Sequence, residues 1–198
     1  MSGTFDPNTT SAKIVIAGAF GVGKTTMITK LTDREPLRTE EILTEAGAEI
    51  DDLAGLQDKK TTTVALDFGR LDLPSGPKLY LFGTPGQDRF WPMWESIALG
   101  ALGAIVIVDT ERLNQCFAIL DFFEDRGIPF VVAVNEFDGA PRHQPDQIAA
   151  ALDLDPEIPV LTFDARSKQD TKEVLVTVLD RAIEFRTTHS NPARATGL

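Results

Sequence analysis

Five residues, Lys13 to Ala17 (KIVIA), run straight into Gly18-Ala19-Phe20-Gly21-Val22-Gly23-Lys24-Thr25-Thr26, and this junction constrains the fold more than any other part of the chain. The first five form a short β-branched, apolar run, the pattern of a strand covered on both faces. The segment from Gly18 to Thr25 matches G-x-x-x-x-G-K-[ST] in full. Glycines at 18, 21 and 23 let the main chain turn its N–H groups inward and approach oxyanions closely. A helix starting near Lys24 adds the field of its N-terminus, which favours anions. Lys24 brings a point charge for β- and γ-phosphates. The Thr25 hydroxyl suits Mg2+, which otherwise takes phosphate oxygens and water. A chance match in a chain of this size is on the order of one in a hundred. A tight turn with an incidental lysine is therefore the weaker explanation, and the junction is expected to hold the phosphate tail of a nucleotide.

Length and composition narrow the rest. A chain of 198 residues, 42% apolar and 25% charged, suits one globular domain with a proper core. Lys and Arg number 19 against 30 Asp and Glu, a net charge of −11. Such a surface repels nucleic acid and anionic lipid, so neither is expected as a partner. The single cysteine, Cys116, excludes an internal disulfide and a multi-cysteine zinc site, and with the acidic balance suggests a cytoplasmic protein. No apolar run approaches the roughly 18 residues of a membrane span. The opening Met1-Ser2-Gly3-Thr4-Phe5 has neither a signal-peptide pattern nor a myristoylation site, and the end has no prenylation box, so no intrinsic membrane anchor is expected.

Along the chain, strands are expected at Lys13–Ala17, Thr62–Leu73, Lys78–Phe82, Ala104–Val108, Phe130–Val134 and Pro159–Phe163. The breakers Pro74-Ser75-Gly76-Pro77 make the second and third an antiparallel pair. Helices are expected from Thr25 to Leu31, Phe90 to Gly100, Leu113 to Asp125, Pro145 to Leu152 and Ser167 to Phe185. In the last, Val174, Val178, Ala182 and Phe185 share one face. The connection 34–60 is expected to be mobile, with a helical stretch across Thr39 to Ala46. Alternating strands and helices give an α/β fold: a mostly parallel six-stranded sheet with one antiparallel edge strand and helices on both faces.

Three further motifs sit at strand ends. Gly83-Thr84-Pro85-Gly86-Gln87 offers a main-chain N–H to a γ-phosphate and an amide to orient water, although Pro-Gly alone is an ordinary turn. Asn135-Glu136-Phe137-Asp138 ends in a carboxylate that can accept both N–H donors of a guanine edge and would repel the acceptor N1 of adenine. Its plainer explanation is a surface turn. Asp164-Ala165-Arg166 places a small residue where a main-chain N–H could meet the guanine oxygen, but as a tripeptide it carries no signal.

Taken in order, GAFGVGKTT, TTTVALDFG, FGTPGQDRF, NEFD and DAR resemble a Ras-like small GTPase over nearly the whole chain, from about Lys13 to Phe185. TTVALDFGRLDL followed by LYLFGTPGQ resembles the prokaryotic branch related to the gliding-motility polarity GTPase MglA. FGTPGQDRFWPMWESIALGALGAIVIVDT is most similar to the CvnD-type GTPases of actinobacterial conservons. The resemblance implies a P-loop NTPase fold of the Ras-like G-domain kind at 13–186, between flexible arms at 1–12 and 187–198. It implies GTP/GDP binding with Mg2+, slow hydrolysis and a switching role. The implied partners are a roadblock/longin-domain regulator and a histidine-kinase-like sensor complex at the membrane.

Carried over residue by residue, the resemblance assigns nucleotide contacts to Gly18, Phe20, Gly21, Val22, Gly23, Lys24, Thr25, Thr26, Thr63, Gly86, Asn135, Asp138, Ala165 and Arg166. Thr25 and Thr63 are the implied metal ligands, with Thr61 and Thr62 as alternatives to Thr63. Gln87 and Lys24 carry hydrolysis, with Arg89 as a cis arginine and Arg38 and Arg70 behind it. Two departures stand out: Gly83 replaces the usual Asp that holds Mg2+ through water, and Glu136 replaces the Lys that packs over the base. They keep open a nucleotide-binding interaction module with negligible hydrolysis. An ATP-dependent small-molecule kinase would need an arginine-rich lid, and the sequence has none. At least one of Trp91 and Trp94 is expected to pack on the sheet; three residues apart on one helix face, both can belong to the core, and partner contact is the alternative.

Overall fold

Continuous apolar runs become the five parallel strands: β1 (Ser11–Ala17), β4 (Lys78–Gly83), β5 (Gly103–Val108), β6 (Phe130–Asn135) and β7 (Val160–Phe163). The computed structural model describes residues 11–33, 37–43, 62–73, 77–86 and 90–189. The remaining strands are β2 (Leu37–Leu43) and β3 (Thr62–Asp72), and the sheet order is β2-β3-β4-β1-β5-β6-β7. β3 is antiparallel to both β2 and β4, and the other pairings are parallel.

Residue alternation on the strands assigns the two layers. Ile14, Ile16, Ile105 and Ile107 face helices α1 (Lys24–Thr32) and α5 (Lys168–His189), packing against Met27, Ile28, Leu31, Val174 and Val178. Val15, Ala17, Val106, Val108, Val132 and Val134 face the other side. There they meet α2 (Trp91–Ala98), α3 (Phe117–Asp125) and α4 (Pro145–Ala151) through Trp94, Phe123 and Ile148. Each fully buried isoleucine contributes about 1.5–3 kcal/mol of apolar burial. Two apolar faces explain why the central strands lack polar alternation.

The α/β fold with helices on both faces is the one expected, with four adjustments. Among the described residues the sheet has seven strands, because Leu37–Leu43 adds an edge beyond β3. The helical stretch expected across Thr39 to Ala46 is not found at 39–43, since those residues belong to β2. Its main chain pairs along β3 from Leu37 opposite Phe68 to Leu43 opposite Thr62, and a complete ladder overrides a weak helical preference. The helix expected from Leu113 divides into a 3-10 segment (Thr110–Gln115), kinked at Arg112 (φ −136°, ψ 37°), and α3. β1 starts two residues early at Ser11, and α5 continues past Phe185 to His189, taking in part of both expected arms. None of the described helices is long and apolar enough to cross a membrane.

Candidate functional site

Parallel strands open their C-terminal ends on one edge of the sheet, and the loops after β1, β4, β6 and β7 meet there. β1 lies between β4 and β5, so chain connections leave it in both directions, the usual place for a crevice. Two cavities occupy this edge. One, about 330 Å³, is lined by residues 20–21, 23–26 and 84–86 together with Asp67. The other, about 370 Å³, is lined by the 135–138 and 164–166 loops. Gly21, Gly23 and Thr26 line both, so the two form one continuous groove.

Gly23 opens α1 at φ 110°, a conformation that suits glycine, and a Cβ there would stand 2.8 Å from Asn135 Nδ2. Asn135 is buried and joins the two halves of the groove. Its Nδ2 donates to Val22 O at 2.9 Å, and its Oδ1 accepts from Ala165 N at 3.0 Å. The Ala165 N–H is therefore engaged by Asn135 rather than directed to a base oxygen. Gly86 approaches the phosphate loop so closely that a Cβ would meet Phe20 N at 2.6 Å.

Lys24 is 8% exposed, and its Nζ donates to Gly18 O and Ala19 O, each at 2.7 Å. Burial pushes its pKa down to about 8, against the opposing pull of the Asp67 charge. The Thr25 hydroxyl donates to the Asp67 carboxylate. Asp67 lies on β3 directly opposite Gly83 on β4. A Cβ at Gly83 would stand 3.1 Å from Asp67 Cβ and 3.3 Å from Ile28 Cδ1. The glycine thus leaves room beside a carboxylate that reaches Thr25 from the neighbouring strand. Thr84 Oγ1 is buried in the same cavity without a hydrogen-bond partner, as a site awaiting a polar ligand would be. Hydroxyl and carboxylate oxygens are the donors Mg2+ prefers, so this set fits that ion.

At the other end, Asp138 pairs with Arg166, whose guanidinium also bonds to Asp164. Those hydrogen bonds hold both carboxyls below their ordinary range. Glu136 turns toward Arg142, with 3.7 Å between Oε2 and Nη2. Trp94 is 3% exposed and packs in the core, while half-buried Trp91 stacks on it with ring centroids 4.6 Å apart. Both line a third cavity of about 740 Å³ with Phe20, Pro85, Gly86 and Arg112, the first three of which also line the phosphate cavity. Phe20 itself is 70% exposed.

The structure thus brings together Gly18 to Thr26, Gly86, Asn135, Asp138, Ala165 and Arg166. Of Thr63 only the main chain is described, and its side chain lies outside the described residues. Thr63 sits opposite Ile42 in the β2–β3 ladder, four positions and about 13 Å along the strand from Asp67. Gln87, Arg89 and Thr61 lie outside the described residues, as do the side chains of Arg38 and Thr62. Arg70 pairs with exposed Asp72 about 10 Å down β3 from Asp67. Two residues were missed. Asp67 needed the cross-strand register, although an Asp on the strand paired with Gly83 was a usable signal. Arg112 is held by buried Asp109 at 2.8 Å, and its Nη1 lies 3.3 Å from Phe20 O. No sequence spacing marked that contact.

Residues 16–185 match the family described as "Conserved hypothetical ATP binding protein". The chain belongs to this family. An uncharacterized protein of Methanocaldococcus jannaschii is 30% identical over 128 residues, covering 64% of this chain and 70% of its own length. The Ras-related protein Rab-7b of Homo sapiens is 26% identical over 181 residues, covering 86% of this chain and 82% of that protein. The FeoB G-domain of Methanococcus jannaschii superposes with a TM-score of 0.57 at 18% identity, covering 89% of this chain and 99% of that one. The fold of this member of the ATP-binding-protein family is therefore that of a P-loop G domain.

Proposed function

We propose that the chain is a regulatory GTPase that binds GTP and GDP with Mg2+ and hydrolyses GTP slowly. One observation carries this reading: Gly21, Gly23 and Thr26 line both cavities, so a phosphate cradle and a carboxylate suited to two N–H donors stand at the two ends of one groove. Lys24 and the loop amides take the phosphate charge. Thr25 and Asp67 would hold Mg2+, directly or through water, in place of the Asp absent at position 83. When bound, that ion neutralises charge on the phosphate oxygens. Gln87 orients the attacking water, Arg89, two residues later in the sequence, serves as the cis arginine, and Gly86 follows the γ-phosphate. The Rab-like similarity supports guanine over the adenine of the family description, as does the chemistry of Asp138.

The finer placement, beside the MglA-related and CvnD-type GTPases, belongs to the same proposal. So do the roadblock-type regulator and the sensor complex at the membrane. The exposed Phe20 ring and the Trp91-lined cavity next to Gly86 give such a regulator apolar surface beside the phosphate loop. A second reading, a nucleotide-binding module with negligible turnover, is favoured by Gly83 and Glu136, which stand in place of the metal-holding Asp and the base-packing Lys. Single-turnover hydrolysis with and without a partner separates the two, since accelerated turnover excludes the module.

The base assignment has its own test. Asp138→Asn should lower GTP affinity about tenfold or more and shift preference toward xanthosine triphosphate, measured by competition binding. Unchanged GTP affinity would remove the guanine reading.

A further inference from the structure

Arg166 meets Asp138 as the edge of a guanine base would. Its Nη1 donates to Asp138 Oδ2 at 2.8 Å and its Nη2 to Oδ1 at 3.0 Å. Two parallel N–H donors therefore occupy both carboxylate oxygens, the arrangement that guanine N1–H and N2–H would need. A guanidinium fork matches a carboxylate in this bidentate way, which a lysine ammonium cannot.

The fork is also anchored independently of Asp138. Arg166 Nε donates to Asp164 Oδ1 at 2.9 Å and Oδ2 at 3.1 Å, and Nη2 donates to Asp164 Oδ2 at 2.8 Å. The Arg166 main-chain N–H donates to Asp164 Oδ1 at 2.8 Å. Releasing Asp138 therefore leaves the guanidinium paired, which keeps displacement inexpensive. Side-chain exposure of 85% for Asp138 and 56% for Arg166 makes the pair exchangeable. Both residues line the cavity at the base end of the groove.

We propose that Arg166 is an internal competitor for the guanine-reading edge of Asp138, displaced by guanine nucleotides and ignored by adenine nucleotides. The proposal rests on the guanine reading above. Guanine can bind Asp138 only after the fork leaves, so its apparent affinity is lowered by the strength of the pair. Adenine has one N–H donor and an acceptor N1 on that edge and does not engage Asp138, so its binding carries no such penalty. Arg166 therefore compresses the preference between the two bases and determines specificity by competition rather than by contact with the bound base.

The test is equilibrium dialysis of the nucleotide-stripped full chain with labelled GDP and ADP in Mg2+, comparing wild type with Arg166→Ala and Arg166→Gln. Arg166 is exposed, and thermal melting confirms that both variants fold. Both should bind GDP about two- to fivefold more tightly than wild type at low salt and bind ADP unchanged. The gain should shrink at about 0.5 M salt, where screening already weakens the wild-type pair. Weaker GDP binding by the variants would mean that Arg166 supports the bound base and would overturn the proposal. Unchanged GDP affinity, or equal gains for GDP and ADP, would overturn it too. Absence of GDP binding by wild type would remove the guanine reading itself and is distinguished by the wild-type measurement alone.

Discussion

At the phosphate end of the groove Lys24 is buried and its ammonium bonds to main-chain carbonyls. At the base end Asp138 and Arg166 stand largely in solvent and hold each other through side chains. The first arrangement is set by the strand–loop–helix junction and changes only if the backbone changes. The second depends on exposed ion pairs that salt, a base or one substitution can rearrange. Affinity should therefore reside at the phosphates and discrimination at the base. A relative could change its preferred base without rebuilding the cradle.

Lys24→Ala separates the ends most strongly. Removing a buried charge from the phosphate end should weaken guanine and adenine nucleotides alike, by about a hundredfold or more in competition binding. A loss confined to one base would break the division. Asp67→Ala comes next. It should raise the Mg2+ concentration needed for tight binding about tenfold or more while leaving binding in chelator unchanged. Equal loss with and without metal would assign Asp67 a structural role instead.

Acidity gives a smaller, signed effect. With its pKa lowered from the ordinary 10.5 to about 8, Lys24 is partly neutral near pH 8 in the free protein. Phosphate oxygens favour its charged form, so binding above about pH 8 must take up protons, and affinity should fall as pH rises through that range. Calorimetry in buffers of different ionisation enthalpy measures the uptake. For the same reason the nucleotide-free protein should gain stability between pH 8 and 10.5, where the unfolded chain binds the extra proton. Proton release on binding would contradict the buried environment assigned to Lys24.

The difference between the ends also explains what the sequence could reveal. The cradle was legible because Gly18 to Thr25 are consecutive and their geometry is local. The central strands were legible because burial on both faces leaves continuous apolar runs such as Ala104 to Val108. β2 was not, because Leu37-Arg38-Thr39-Glu40-Glu41-Ile42-Leu43 lacks such a run and becomes a strand through its partner β3. Asp67 was hidden because its contact with Thr25 depends on a strand register that puts it opposite Gly83. The Arg166 fork on Asp138 joins residues 28 apart in sequence through exposed side chains, and no spacing rule marks it. Trp94 was anticipated in part: helical spacing put it on the face of Trp91, and only the fold shows it inside the core.

The most direct measurement is a calorimetric titration of the folded, nucleotide-stripped chain with Mg2+–GDP and, in parallel, Mg2+–ADP. One guanine nucleotide should bind per chain, more tightly than the adenine nucleotide, with the heat lost in Lys24→Ala. No heat from the guanine nucleotide, or tighter binding of the adenine one, would contradict the groove described here.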